Sequence, residues 1–193
     1  MKAYRGFLLD ADNTLLDYDR AEREALDETL EVAAPSVPRE EARAAYREIN
    51  NEYWRRFEEG TVTAAALKVG RFADLLAKLH LGGDARAVAE RYLARLGSKA
   101  YPLPYADLVV RELSRGAALA LVTNGLTDVQ RGRVQRSGWA SRFTAVIISE
   151  ELGVAKPDSR FFQAALDALG LPPEELLGVG DNPVSDVGGA QAA

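Results

Sequence analysis

Gly6-Phe7-Leu8-Leu9-Asp10-Ala11-Asp12-Asn13-Thr14, near the start of the chain, sets four residues free of charge before two acids in three positions. A short apolar run that stops abruptly at acids is the pattern of a buried parallel strand, with both carboxylates emerging at its carboxyl end. That end is where open α/β sheets bind ligands. Acids at i and i+2 of an extended segment point to one side, but a turn after Asp10 lets one aim at a reacting atom while the other stands beside it. One can then attack while its neighbour carries a proton. A D-x-D pair alone describes a solvated strand-end turn equally well, so the rest of the chain has to decide.

Beyond Pro102-Leu103-Pro104 the pattern alternates strand with helix, which predicts a parallel sheet with helical crossovers to which the first segment also belongs. Strands are expected over 117–122, 145–148 and 176–179, and helices over 107–114, 127–137 and 159–169, with Asp158 capping the last. Each strand exits into polar residues: Thr123-Asn124-Gly125, Ser149-Glu150-Glu151 and Gly180-Asp181-Asn182. Parallel strands end on one edge, so Asp10, Asp12, Thr123 and Asp181 converge there, and Lys156-Pro157, just ahead of a helix, reaches the same edge. Gly-Asp-Asn-Pro-Val-Ser-Asp adds Asp186. This set meets the needs of phosphoryl transfer through an aspartate. Oxygen ligands from Asp10 and Asp181 suit Mg²⁺, while Thr123 and Lys156 hold phosphate oxygens. Gly125 and the Asp10–Thr14 turn are expected to offer backbone N–H groups to the same oxygens.

Residues 18–96 read differently, as helices over 19–33, 39–59, 63–81 and 84–96 with Thr63 and Asp84 as N-caps. Tyr46, Ile49, Tyr53 and Phe57 share one face, read as bundle core. Asn50, Asn51 and Trp54 lie off that stripe, an arrangement open to base stacking and hydrogen bonding as well as to ordinary packing. Gly70 interrupts the third helix between Lys68 and Arg71, which predicts a close approach to its backbone; Lys68 and Arg71 read as a solvated face, with ligand contact as the alternative.

Composition narrows the chemistry. In 193 residues the chain is 47% apolar, enough for a sizeable interior. A net charge of -5 argues against neutralising a nucleic-acid polymer. No run approaches the length of a membrane span and no signal pattern opens the chain, so a cytoplasmic, membrane-free enzyme is expected. Zero cysteines and a single histidine, His80, exclude disulfides, thiolate ligands, histidine metal clusters and most catalytic triads. Carboxylates are left to do the work.

D-A-D-N-T-L, T-N-G, K-P and G-D-N-P-V-S-D stand in the order of the four motifs of the haloacid dehalogenase-like (HAD) hydrolases, which the chain resembles over nearly its whole length. A-D-N-T-L-L-D-Y-D, E-E-G-T-V-T, V-G-R-F, V-T-N-G-L-T-D-V-Q and I-I-S-E-E-L-G-V-A-K-P-D resemble more narrowly the bacterial branch that hydrolyses noncanonical pyrimidine 5'-nucleotides. The resemblance implies an α/β, doubly wound, Rossmann-like core over 1–16 and 98–193 with an inserted helical-bundle cap over 17–97. It implies that Asp10 attacks phosphorus to form an aspartyl-phosphate and that Asp12 protonates the leaving alkoxide and then activates water. Mg²⁺ is then held by the Asp10 carboxylate, the Asp12 main-chain carbonyl and Asp181, with Asp186 positioning the metal water or Lys156. Thr123, Lys156 and the Asn124 main-chain amide bind phosphate. The implied partner is a small phosphorylated substrate, a nucleotide foremost, with the protein a monomer or homodimer.

Phosphoglycolate or a sugar phosphate is the alternative substrate. A carbon–halogen hydrolase shares the nucleophile but has no alkoxide for Asp12 to protonate, a phospho-accepting signalling domain has its aspartate mid-chain, and a non-enzymatic member of the fold is expected to lose part of the site. At the other end, Asp186 to Ala193 reads as the first turns of a helix where the family continues into a further strand. The expectation is therefore a shortened chain whose strand at 176–179 is an apolar edge.

Overall fold

The computed structural model describes residues 4–193. Contacts divide the chain into two compact units, one formed by residues 1–19 with 100–193 and the other by residues 20–99.

The first unit is built on four parallel strands: Gly6–Leu9 (β1), Ala118–Thr123 (β2), Ala145–Ile148 (β3) and Leu176–Val179 (β4), in the order β3-β2-β1-β4. β1 lies between β2 and β4, and neither of its faces carries a polar side chain. Leu8, Ala120 and Val122 turn to one side and pack with Phe161, Phe162, Ala165 and Leu166 of the helix Ser159–Leu169. Leu9, Leu119 and Leu121 turn to the other, against Val110 of the helix Ala106–Leu113 and Val134 of the helix Thr127–Ser137, with Trp139 and Phe143. A sheet clad on both faces is the doubly wound arrangement that continuous apolar strands require. Asp158 caps its helix as expected, accepting from the Arg160 N–H at 2.9 Å. Ser149-Glu150-Glu151 leave β3 as expected and wind directly into a short helix, Ser149–Leu152. On the β4 side of the sheet, Leu177 and Val179 are exposed among the described residues.

The second unit is a helical bundle: Tyr18–Ala33 from its third residue, Arg39–Glu58, Ala64–Lys78 and Ala85–Gly97. Thr63 and Asp84 cap their helices, accepting from the Ala66 and Arg86 N–H groups. At its centre the rings of Tyr46, Phe72 and Tyr92 lie 5.1–5.6 Å apart. Two readings are corrected here. Arg71 is not on a solvated face but 1% exposed, its guanidinium 5.1 Å from the Tyr92 ring centre and its Nη1 donating to Asn50 Oδ1 at 2.6 Å. Asn50 is likewise buried, so it serves the bundle interior and not a ligand surface. The close approach at Gly70 is real: a Cβ there would lie 2.6 Å from the Tyr53 hydroxyl. Among the described residues no helix is long and apolar enough to cross a membrane. Removing the acceptor for a buried guanidinium leaves its desolvation uncompensated, so Asn50→Ala is expected to cost about 1–3 kcal/mol in urea unfolding. An unchanged midpoint would remove Asn50 from the network.

Candidate active site

β1 register places Leu9 beside Leu121 of β2 and Val179 of β4, so Asp10 emerges level with the ends of both neighbours. Its N–H donates to Val179 O at 2.9 Å, which holds the residue to the strand end. The residue is 5% exposed. Oδ1 accepts from Lys156 Nζ at 2.7 Å, while Oδ2 is buried with no hydrogen-bond partner.

Lys156 is the hub. Its ammonium donates to Asp10 Oδ1, to Asp186 Oδ1 at 2.5 Å and to Val122 O at 3.0 Å, which uses all three of its hydrogens in a residue only 2% exposed. Asn124 fixes the backbone beneath it: its side chain donates to Lys156 O at 2.9 Å and accepts from Lys156 N at 2.7 Å. This side-chain role was not foreseen; the pattern assigned Asn124 only a main-chain contact with phosphate. Thr123 ends β2 and is 1% exposed.

Asp186 sits in the turn Pro183–Gly188, where its Oδ2 accepts from the Asn182 N–H at 3.0 Å. Gly180 makes room for it, since a Cβ there would lie 2.3 Å from the Asp186 carboxylate. One oxygen each of Asp10, Asp181 and Asp186 lie within 4.8 Å of one another. Burial pushes the Asp10 carboxyl up to about 6, with Lys156 pulling it down and Asp12 and Asp186 pushing it up. Asp181 is also raised, by burial and then by Asp186. Burial acts to lower Lys156, yet Asp10 and Asp186 together raise it. The two members of the Lys156–Asp10 pair thus point opposite ways, one favouring its charged form and the other not. Counting charges resolves this: three carboxylates face one ammonium, so lysine stays charged and the surplus falls on Asp10. A surplus of two negative charges beside an unpartnered carboxylate oxygen fits a divalent cation with hard oxygen ligands.

Asp12 is set apart from this cluster. After the turn its side chain swings to the helix Thr127–Ser137, where Gln130 Nε2 donates to Oδ2 at 2.7 Å and Arg133 Nη1 donates to Oδ1. Asn13 makes the turn, in the left-handed region at φ 60°, and its Oδ1 accepts from the Tyr18 N–H at 3.0 Å to start the next helix. Gln130 and Arg133 were missed. Their one sequence signal is that the face of that helix turned to the sheet, Val129, Gln130, Arg133 and Val134, is half polar where a crossover helix shows an apolar stripe. A second correction concerns Gly125, whose N–H donates to Ser149 Oγ at 3.1 Å and is therefore not offered to phosphate. Ser149 and Glu150 brace this loop, Glu150 accepting from the Thr127 N–H at 2.7 Å.

Residues 4–193 match the family described as haloacid dehalogenase-like hydrolases. The pyrimidine 5'-nucleotidase YjjG of Escherichia coli is 31% identical over 188 residues, covering 95% of this chain and 80% of that protein. A phosphoserine phosphatase of Thermus thermophilus is 41% identical over 148 residues, covering 72% of this chain and 59% of that protein, so this match spans less than two thirds of the relative. The solved structure of the HAD-hydrolase YfnB of Bacillus subtilis, bound to magnesium, superposes with a TM-score of 0.91 at 30% identity, covering 100% of this chain and 86% of that one. A match over every described residue, with the four motifs in order and Lys156 brought to Asp10 at the edge of the sheet, means that this chain belongs to the haloacid dehalogenase-like hydrolase family.

Proposed function

We propose that the protein is a Mg²⁺-dependent phosphomonoester hydrolase that works through an aspartyl-phosphate on Asp10, with pyrimidine nucleoside 5'-monophosphates as its preferred substrates. The observation that carries the chemistry is the buried Asp10 carboxylate at the tip of the central strand, held by Lys156 on one oxygen and unpartnered on the other. The nucleotide preference is supported by the likeness to a protein named a pyrimidine 5'-nucleotidase.

Asp10 attacks phosphorus and the bond to the leaving oxygen breaks; Asp12 gives that oxygen a proton. Asp12 then takes a proton from water as the water attacks the phosphorus of the aspartyl-phosphate, and Asp10 returns as a carboxylate with inorganic phosphate as product. Thr123 and the Asn124 main-chain amide hold phosphate oxygens, and Lys156 joins them by turning one of its three hydrogens from a carboxylate to a phosphate oxygen when substrate enters, while the Asn124 side chain keeps Lys156 in register. Asp10, Asp181 and Asp186, with the Asp12 main-chain carbonyl, hold Mg²⁺, which when bound supplies the neutralisation an anionic nucleophile needs to meet an anionic ester. Residues 17–97 act as the cap that selects substrate, with Asn51 and Trp54 of the helix Arg39–Glu58 as its candidate base contacts. Contacts made to base and sugar lower the barrier by positioning the phosphate.

A panel of phosphate monoesters with Mg²⁺ tests the reading. Pyrimidine monophosphates are expected to exceed phosphoglycolate and hexose phosphates in kcat/KM by about tenfold or more. Equal ranking would retain the phosphatase and discard the nucleotidase. Halide release from 2-haloacids without any phosphate release would discard both.

A further inference from the structure

Gln130 and Arg133 stand one turn apart on one face of the helix Thr127–Ser137, 2% and 0% exposed. Burying an amide and a guanidinium in a helix–sheet seam costs free energy unless both are satisfied. Both reach the same carboxylate, one to each oxygen of Asp12. A counterion for a buried arginine needs one contact; two donors of different shape converging on the two oxygens of one carboxylate fix its plane. Each oxygen retains a further lone pair, and the Asp12 side chain stays 24% exposed, so it is held without being used up. Further residues support the clamp. The Arg133 guanidinium lies 5.6 Å from the Tyr18 ring centre, and the Tyr18 N–H is tied to Asn13 Oδ1 next to Asp12 in sequence. Gly125 leaves the lane that Gln130 occupies: a Cβ there would lie 2.6 Å from both Cγ and Nε2 of Gln130.

We propose that Gln130 and Arg133 are positioning residues that orient the Asp12 carboxylate for proton transfer, and that Gly125 is glycine so that Gln130 can pass. The inference rests on the reading of Asp12 as acid and base. It predicts a loss that depends on the leaving group, because a well-oriented acid matters most where the departing oxygen is basic, and such assistance is worth about 10²–10⁴-fold.

The experiment compares single-turnover release of phenol from phenyl phosphate and of p-nitrophenol from p-nitrophenyl phosphate, the step in which Asp12 acts as acid, with esters of nearly equal size at saturating Mg²⁺. It uses the wild type, Gln130→Ala, Gly125→Ala, Arg133→Lys, Asp12→Asn and the double variant Asp12→Asn/Gln130→Ala. Gln130→Ala and Gly125→Ala are expected to lose about tenfold or more on phenyl phosphate and less than about threefold on p-nitrophenyl phosphate, with KM little changed. Arg133→Lys retains the charge without the fork and should show the same selectivity. Asp12→Asn should be selective in the same sense and more severe, and Gln130→Ala should add nothing to it. Equal losses on both esters, no loss, or full additivity in the double variant would overturn the inference and leave the pair a packing feature. If Asp12→Asn itself hydrolysed both esters at the wild-type rate, the acid–base reading of Asp12 would be the one to fail.

Discussion

Asp10→Asn is expected to abolish hydrolysis while the fold survives. The substitution preserves size and the N–H that ties the residue to Val179, so β1 keeps its register. In the proposed mechanism it takes away the nucleophile, and losing the nucleophile of a covalent mechanism costs roughly 10⁴-fold or more in kcat. Stability should not suffer in the absence of Mg²⁺. One of three crowded carboxylates disappears, and Lys156 retains Asp186 and Val122 O as acceptors. The measurements are phosphate release, mass spectrometry of acid-quenched protein for the phosphoryl adduct, and thermal unfolding in EDTA. The wild type should carry the adduct and the variant should not. Activity within tenfold of the wild type would sink the assignment of Asp10.

Lys156→Met is expected to damage both activity and stability, and the two losses respond to different additions. In the proposed mechanism the lysine turns one of its hydrogens to a phosphate oxygen, and removing one such donor costs about 10²–10³-fold in kcat. It is also the only positive charge set among Asp10, Asp181 and Asp186 in the described site, so its loss leaves buried carboxylates uncompensated, an effect of about 3–5 kcal/mol. Mg²⁺ should restore much of the lost melting temperature but little of the lost rate. The pH dependence has a definite sign. A carboxyl raised in the folded state to about 6 binds a proton more tightly there than in the unfolded chain. Its favourable contribution is therefore present below its ordinary value and lost as pH rises through 6. Metal-free protein should accordingly gain stability as pH falls from 7 towards 5, and the variant, with no ammonium beside Asp10, should gain more than the wild type. A variant whose melting temperature ignored both Mg²⁺ and pH would show that Lys156 does not balance these acids.

How much of this was legible beforehand follows from the range of the forces involved. Local rules sufficed for the strands at 145–148 and 176–179, the helices at 127–137 and 159–169, and the caps Thr63, Asp84 and Asp158, because periodicity and capping act within a turn or two of chain. The gathering of Asp10, Lys156, Asp181 and Asp186 could also be read off, since parallel strands deliver their ends to one edge whatever the side chains do next. What a side chain does next was decided elsewhere. Asn124 turns its amide to the Lys156 backbone, Gly125 yields its N–H to Ser149, and Asp12 leaves the cluster of Asp10, Asp181 and Asp186 for Gln130 and Arg133, residues 118 and 121 positions away. Arg71 reads as a surface residue by composition and is buried because three aromatic rings and Asn50 enclose it. The sheet, the helices and the chemical groups that arrive at the strand ends all follow from short-range order along the chain. Which of them touch is settled by packing, because a buried polar group takes whichever partner comes within about 3 Å, and that partner is seldom near in sequence.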